Sequence, residues 1–141
     1  MSHLYTTRVH AVGGRAGTVK SDDGILDLQL AVPASLGGKG GATNPEQLFA
    51  AGYAACFENA VIHVTRRGEH KVRDEDIEVA AEVGLLPADG GGFSLTVALD
   101  VVIAGIDQAK AEEIVQAAHK VCPYSNAVRG NIDVKLNVSV K

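Results

Sequence analysis

Asn44-Pro-Glu-Gln-Leu-Phe-Ala-Ala-Gly-Tyr-Ala-Ala-Cys-Phe57 is the stretch that decides the fold. Asn44 has a side-chain oxygen suited to capping a helix, and Pro45 fits the first helical position, where its missing N–H costs nothing. Glu46 sits in the first turn and Gln47 at the third position, both favourable at the positive end of a helix. The spacing predicts a helix from here to about Arg67, with Gly68 as its stop. From Leu48 to Phe57 the residues are apolar all round and form no single stripe, so this helix should be enclosed on every side. Ten apolar residues are too few to cross a bilayer.

Outward from this helix the pattern changes to a period of two. Residues 26–32, 77–85, 93–103 and 132–140 alternate apolar and polar side chains, which predicts strands with one wet face and one core face, typical of antiparallel pairing. Residues 4–12 and 16–21, joined through Gly13-Gly14, predict a hairpin, and Gly90-Gly91-Gly92 a turn. Residues 107–121 predict an amphipathic second helix with Ile114, Val115, Ala118 and Val121 on its apolar face. Pro123 ends it, and Pro-Tyr-Ser-Asn-Ala (123–127) can open a further short helix. Residues 66–76 read as a solvated charged connector. A few strands and one other helix cannot cover the first helix, so a second subunit should. The fold class is α+β: one domain over 1–141, helices against curved antiparallel sheet, dimeric.

The composition excludes several functions. With 13 Lys+Arg against 17 Asp+Glu the net charge is −4, which argues against nucleic-acid coating and against adhesion to an anionic membrane. Aromatics make up 4% with no Trp, which leaves no platform for stacking bases. The N-terminus has no basic start followed by an apolar core, so a cytoplasmic location is expected. In that reducing compartment a pair of cysteines points to catalysis or metal binding ahead of a static disulfide.

Cys56 lies in the apolar part of the first helix, where a free cysteine ordinarily packs as a small hydrophobe. Cys122 continues the apolar face of the second helix and stands where a new helix begins, near its positive end. Two inward-facing cysteines on helices that pack together suggest thiol–disulfide chemistry. Which of them attacks is left open by their local surroundings. Arg15, within Gly13-Gly14-Arg15-Ala16-Gly17, is either a surface arginine in a turn or a fixed cation for a thiolate or peroxide oxygen. Residues 36–43, Leu-Gly-Gly-Lys-Gly-Gly-Ala-Thr, do not match a phosphate-binding loop and read as a flexible rim. Cys56, His63, His119 and Cys122 form a weak zinc set without a Cys-x-x-Cys. A serine hydrolase lacks its nucleophile motif.

Four blocks of sequence resemble the organic hydroperoxide resistance proteins within the OsmC-like superfamily: Gly-Gly-Arg-Ala-Gly (13–17), residues 26–33, residues 43–57 and residues 117–134. The Cys122-Pro-Tyr-Ser-Asn-Ala form is similar to the organic hydroperoxide branch, where the OsmC branch reads CPVSKA. The resemblance spans essentially the whole chain. It implies curved antiparallel sheets around a long buried central helix in an intertwined homodimer, and a cysteine-based peroxidase of organic and fatty-acid hydroperoxides. Cys56 is then peroxidatic and Cys122 resolving, while Arg15 and Glu46 flank the thiolate, Glu46 orienting Arg15. No cofactor or metal is implied, and the reductant would be a dithiol such as a lipoylated protein. The glycine-rich loop before Thr43 is one residue shorter than the family pattern, and Glu58-Asn59 is more polar than it.

Glu46 and Cys56 are ten residues apart on one helix, about 15 Å along the axis. Three arrangements reconcile them: a break near Gly52, a bridge through Arg15, or Glu46 supplied by the other subunit. The uncovered helix favours the last. Competing readings are a redox-inert lipid or small-molecule binder and a zinc module.

Overall fold

A computed structural model describes residues 1–69 and 71–141. His70, in the charged connector read at 66–76, lies outside the described residues. The chain forms two compact units, Met1–Leu48 and Phe49–Lys141.

In the first unit, β1 (Val9–Val12), β2 (Thr18–Ser21) and β3 (Asp27–Gln29) form one antiparallel sheet in that order. The strands occupy only part of the hairpin arm read at 4–12 and of the alternating stretch 26–32, and every residue of β1 is exposed in the single chain. β1 and β2 are joined by a 3-10 turn, Gly14–Ala16, that carries Arg15. Glycine is required around it. Gly13 and Gly14 have φ of 86° and 63°, and a Cβ on Gly17 would lie 1.8 Å from the carbonyl oxygen of Val12. Arg15 is therefore presented from a backbone with little freedom. The glycine-rich stretch contains a second 3-10 turn, Ala34–Leu36, and Leu30 bridges to Thr43.

The first unit ends in the opening turn of α1 (Pro45–Arg67), which starts as its sequence predicts. Asn44 Oδ1 accepts from the backbone N–H of Gln47 at 2.8 Å.

In the second unit, α1 continues without a break at Gly52 to Arg67. β4 (Ile77–Pro87) and β5 (Phe93–Ile103) form a long antiparallel hairpin, and β6 (Lys135–Val140) joins the far side of β5. The pairing of β5 with β6 is parallel, which corrects the expectation of antiparallel pairing throughout. The reason is the connection: α2 (Gln108–Val121) and α3 (Pro123–Val128) carry the chain back to the starting end of β5, as a parallel crossover must. Alternation reports which face of a strand is buried and is silent on strand direction. β6 also begins at Lys135, later than the 132 expected.

The core confirms the faces of β5 and α2, whereas Leu28 and Phe93, expected to face inward, are exposed in the single chain. Val97, Leu99, Val101 and Ile103 of β5 are buried, with Ala111, Ile114, Val115 and Ala118 of α2. Val121, expected on that face, is 48% exposed; Cys122 takes its place, fully buried. Along α1 one stripe is buried, Tyr53, Phe57, Ala60, Val61 and Thr65, while Ala51, Ala55 and Asn59 are exposed in the single chain. Among the described residues, no helix is long and apolar enough to cross a membrane.

Candidate active site

The second unit brings the two cysteines together. α1 supplies Cys56 from its middle, and the break between α2 and α3 supplies Cys122. Cys122 closes one helix and caps the next, with extended backbone (φ −65°, ψ 123°) where Pro123 forbids continuation. Their Sγ atoms are 3.8 Å apart and both thiols are free. A disulfide needs about 2.05 Å, so a small approach of the two sulfurs would join them.

The two sulfurs differ in access. Cys122 is fully buried, whereas Cys56 is half-buried. Burial pushes the Cys56 thiol above its usual range and the neighbouring Cys122 adds to this. The backbone N–H of Tyr124 acts the other way, donating to the Cys56 sulfur and favouring the thiolate. Cys122 caps α3, where the sequence placed it, and the start of the same helix also serves Cys56.

The core that holds both cysteines also holds a cluster of aromatic rings. Phe49 meets Tyr53 and Tyr124 edge-on, with ring centres 6.2 Å and 6.3 Å away, and Tyr53 packs on Tyr124 at 5.6 Å. Gly52 makes this packing possible, because a Cβ there would lie 2.4 Å from the Tyr124 hydroxyl. Below them Tyr53 Oη lies 2.7 Å from Ser125 Oγ, which in turn lies 2.8 Å from His119 Nδ1. Tyr53 and Ser125 escaped sequence reasoning. The available signal was positional: Tyr53 precedes Cys56 by three residues, and Ser125 follows Cys122 by three.

In the first unit, Arg15 and Glu46 form a two-pronged ion pair. Arg15 Nη1 donates to Glu46 Oε1 at 2.6 Å, and Nη2 donates to Oε2 at 2.8 Å. Both groups are partly buried, Glu46 more than Arg15. The hydrogen bonds from Arg15 hold the Glu46 carboxyl below its usual range, against a smaller opposing effect of burial. The Arg15 guanidinium is stabilised in return. Arg15 is thus held in its turn by Glu46 of the same chain.

The zinc set does not assemble. His63 is exposed on α1, His119 is engaged by Ser125, and among the described residues no three or more His, Cys, Asp or Glu side chains converge.

A family model described as OsmC-like protein matches residues 38–137. The chain is 49% identical over 137 residues to organic hydroperoxide resistance protein OhrB of Bacillus subtilis, covering 96% of this chain and 98% of that one. Its fold matches the crystal structure of an organic hydroperoxide resistance protein from Legionella pneumophila with a TM-score of 0.94 and 56% identity, over 99% of this chain and 100% of the other. A second such structure, from Elizabethkingia anophelis with thiocyanate bound, gives a TM-score of 0.94 at 46% identity, with complete coverage of both chains. The chain belongs to the OsmC-like family and, within it, to the organic hydroperoxide resistance proteins.

Proposed function

We propose that this protein is a thiol peroxidase that reduces organic and fatty-acid hydroperoxides to alcohols. The observation that carries the reading is the pair of free thiols, one open and one sealed, with 3.8 Å between their sulfurs. A peroxide must reach the sulfur that attacks it, which favours Cys56 as the peroxidatic residue. Its thiolate attacks the outer peroxide oxygen, the O–O bond breaks, and the alkoxide leaves as the alcohol after taking a proton. Cys56 becomes a sulfenic acid. The thiol of Cys122 then displaces its hydroxyl as water, and the Cys56–Cys122 disulfide forms.

Burial alone opposes a thiolate at Cys56, so the reaction needs a cation beyond the Tyr124 amide. We assign that role to Arg15, oriented by Glu46, as in the family pattern. The rings of Phe49 and Tyr124, which keep some exposure, favour an alkyl peroxide over hydrogen peroxide. A dithiol, such as the lipoyl group of a lipoylated protein, would reopen the disulfide by exchange and leave oxidised itself. Relatives covering 96% or more of the chain support residues 1–141 acting as one functional domain. The exposed Ala51 and Ala55 of α1, with Val9 and Val12 of β1, support a homodimer; a cytoplasmic location fits the free thiols.

Titration of thiols before and after one equivalent of an alkyl hydroperoxide tests the reading. Loss of two thiols per chain with formation of one alcohol is the expected result. No loss would favour a redox-inert binding protein.

A further inference from the structure

Tyr53 and Ser125 are both fully buried, and their hydroxyls have no part in the sulfur chemistry above. Together with His119 they form an unbranched chain, Tyr53 Oη to Ser125 Oγ at 2.7 Å and Ser125 Oγ to His119 Nδ1 at 2.8 Å. Each member has a fixed relation to a cysteine. Tyr53 precedes Cys56 by three residues on α1, where residues so spaced are neighbours on the helix surface. His119 on α2 and Ser125 on α3 lie three residues before and three after Cys122, on either side of the break that it occupies. The polar chain therefore ties together the three elements that carry or flank the two cysteines.

Burial and the nearby Arg129 push His119 below its usual range, which favours the neutral ring. When that ring accepts at Nδ1, Ser125 donates to it and accepts from Tyr53; in the other tautomer both donors reverse, and in either case the Ser125 hydroxyl is the middle link. Among the described residues, no buried side-chain nitrogen or oxygen is left without a partner. Deleting the central hydroxyl would orphan the groups on both sides of it.

Cys122 depends on such a fixture. It sits at a break, with extended backbone between two helices and a proline after it, so the direction of its side chain follows the angle between α2 and α3. Across the break Arg129 Nη2 donates to the carbonyl of His119 at 2.6 Å, and Ser125 reaches back to the His119 ring. Of these two links, that of Ser125 continues to α1, through Tyr53.

We propose that Ser125, held between Tyr53 and His119, is the positioning residue for Cys122: it fixes the α2–α3 break and so keeps the buried sulfur within reach of Cys56. The inference rests on the proposed Cys56–Cys122 disulfide. It concerns the second step, in which the Cys122 thiol condenses with the Cys56 sulfenic acid and releases water, and leaves the first step to Cys56.

The test uses Ser125→Ala, Tyr53→Phe and Ser125→Thr in the full-length protein, with folding checked by circular dichroism. The equilibrium between the cysteine pair and a glutathione buffer gives the effective concentration of one thiol towards the other, with no peroxide present. Ser125→Ala should lower it by about tenfold or more, and Tyr53→Phe by about threefold because the Ser125–His119 bond survives. Ser125→Thr keeps the hydroxyl and should restore the wild-type value. The rate of Cys56 sulfenic acid formation with an alkyl hydroperoxide should change by less than about twofold, so that sulfenic acid accumulates in Ser125→Ala. An unchanged effective concentration in folded Ser125→Ala or Tyr53→Phe overturns the inference, as does a Ser125→Thr loss equal to that of Ser125→Ala. If Ser125→Ala does not fold, Tyr53→Phe decides. A wild-type protein that equilibrates with glutathione yet turns over no organic hydroperoxide would refute the proposed function while leaving the positioning role to the same measurements.

Discussion

Cys56 Sγ and Cys122 Sγ lie 3.8 Å apart, and only Cys56 has access to solvent. The asymmetry separates two tasks that a pair of equally exposed thiols would share. In the proposed cycle a sealed Cys122 would meet no peroxide directly and would stay reduced until Cys56 has reacted. An open Cys56 without its neighbour would hold its sulfenic acid in contact with further peroxide.

Replacing Cys56 by Ser should therefore abolish peroxide reduction, because a serine hydroxyl is far too weakly acidic to supply an attacking anion at neutral pH. Replacing Cys122 by Ser should leave the first oxidation intact and expose Cys56 to sulfinic and sulfonic acid formation. Intact-protein mass spectrometry after excess hydroperoxide reads the two outcomes. A Cys56→Ser chain that keeps wild-type turnover would reverse the roles.

Arg15→Ala should slow the reaction with peroxide and move the alkylation profile of Cys56 to higher pH, by about one unit or more. The fold should survive, because Arg15 projects from a glycine-framed turn and its ion pair is partly solvated. Alkylation rates measured from pH 5 to 9 check this, and an unshifted profile counts against Arg15 as the activating cation.

Much of this was legible in the residues. The Asn44 cap, the Pro45 start and the Arg67 end of α1 follow from local chemistry alone, as do the buried faces of β5 and α2. Strand direction did not, because β6 runs parallel to β5 by virtue of the crossover through α2 and α3. Val121 was misplaced because it lies at the edge of an apolar face that Cys122 completes. The Arg15–Glu46 bond joins residues 31 apart in sequence, and no periodicity encodes it. Nor does a sequence show that the Tyr124 amide donates to the Cys56 sulfur.

Organic hydroperoxides should be reduced faster than hydrogen peroxide, with a margin that grows with alkyl length until the rings around Cys56 are covered. Each buried methylene contributes about 0.8 kcal/mol, close to fourfold in kcat/KM when it is fully enclosed. Second-order rate constants for a series of straight-chain hydroperoxides measure the increment. Equal constants for hydrogen peroxide and a long-chain hydroperoxide would refute the substrate class.

The Arg15–Glu46 pair also predicts a pH dependence of stability. Hydrogen bonds from Arg15 hold the Glu46 carboxyl below its ordinary value of 4.5 in the folded protein. A group with a depressed folded pKa is proton-poorer folded than unfolded, so its contribution is complete above the unfolded value and fades as pH falls through the folded one. Arg15, raised further from an already high value, stays charged throughout and adds no slope of its own in this range. Glu46→Gln should thus lower the thermal midpoint at pH 7. The gap to wild type should stay constant down to about pH 5 and close as the pH falls towards 3. In an Arg15→Ala background the same Glu46→Gln change should cost less at pH 7, because the partner that depresses the carboxyl is gone. Midpoints of the four proteins from pH 3 to 7 give the cycle. A gap between wild type and Glu46→Gln that is as wide at pH 3 as at pH 7 would show that the ion pair contributes nothing through the charge of Glu46.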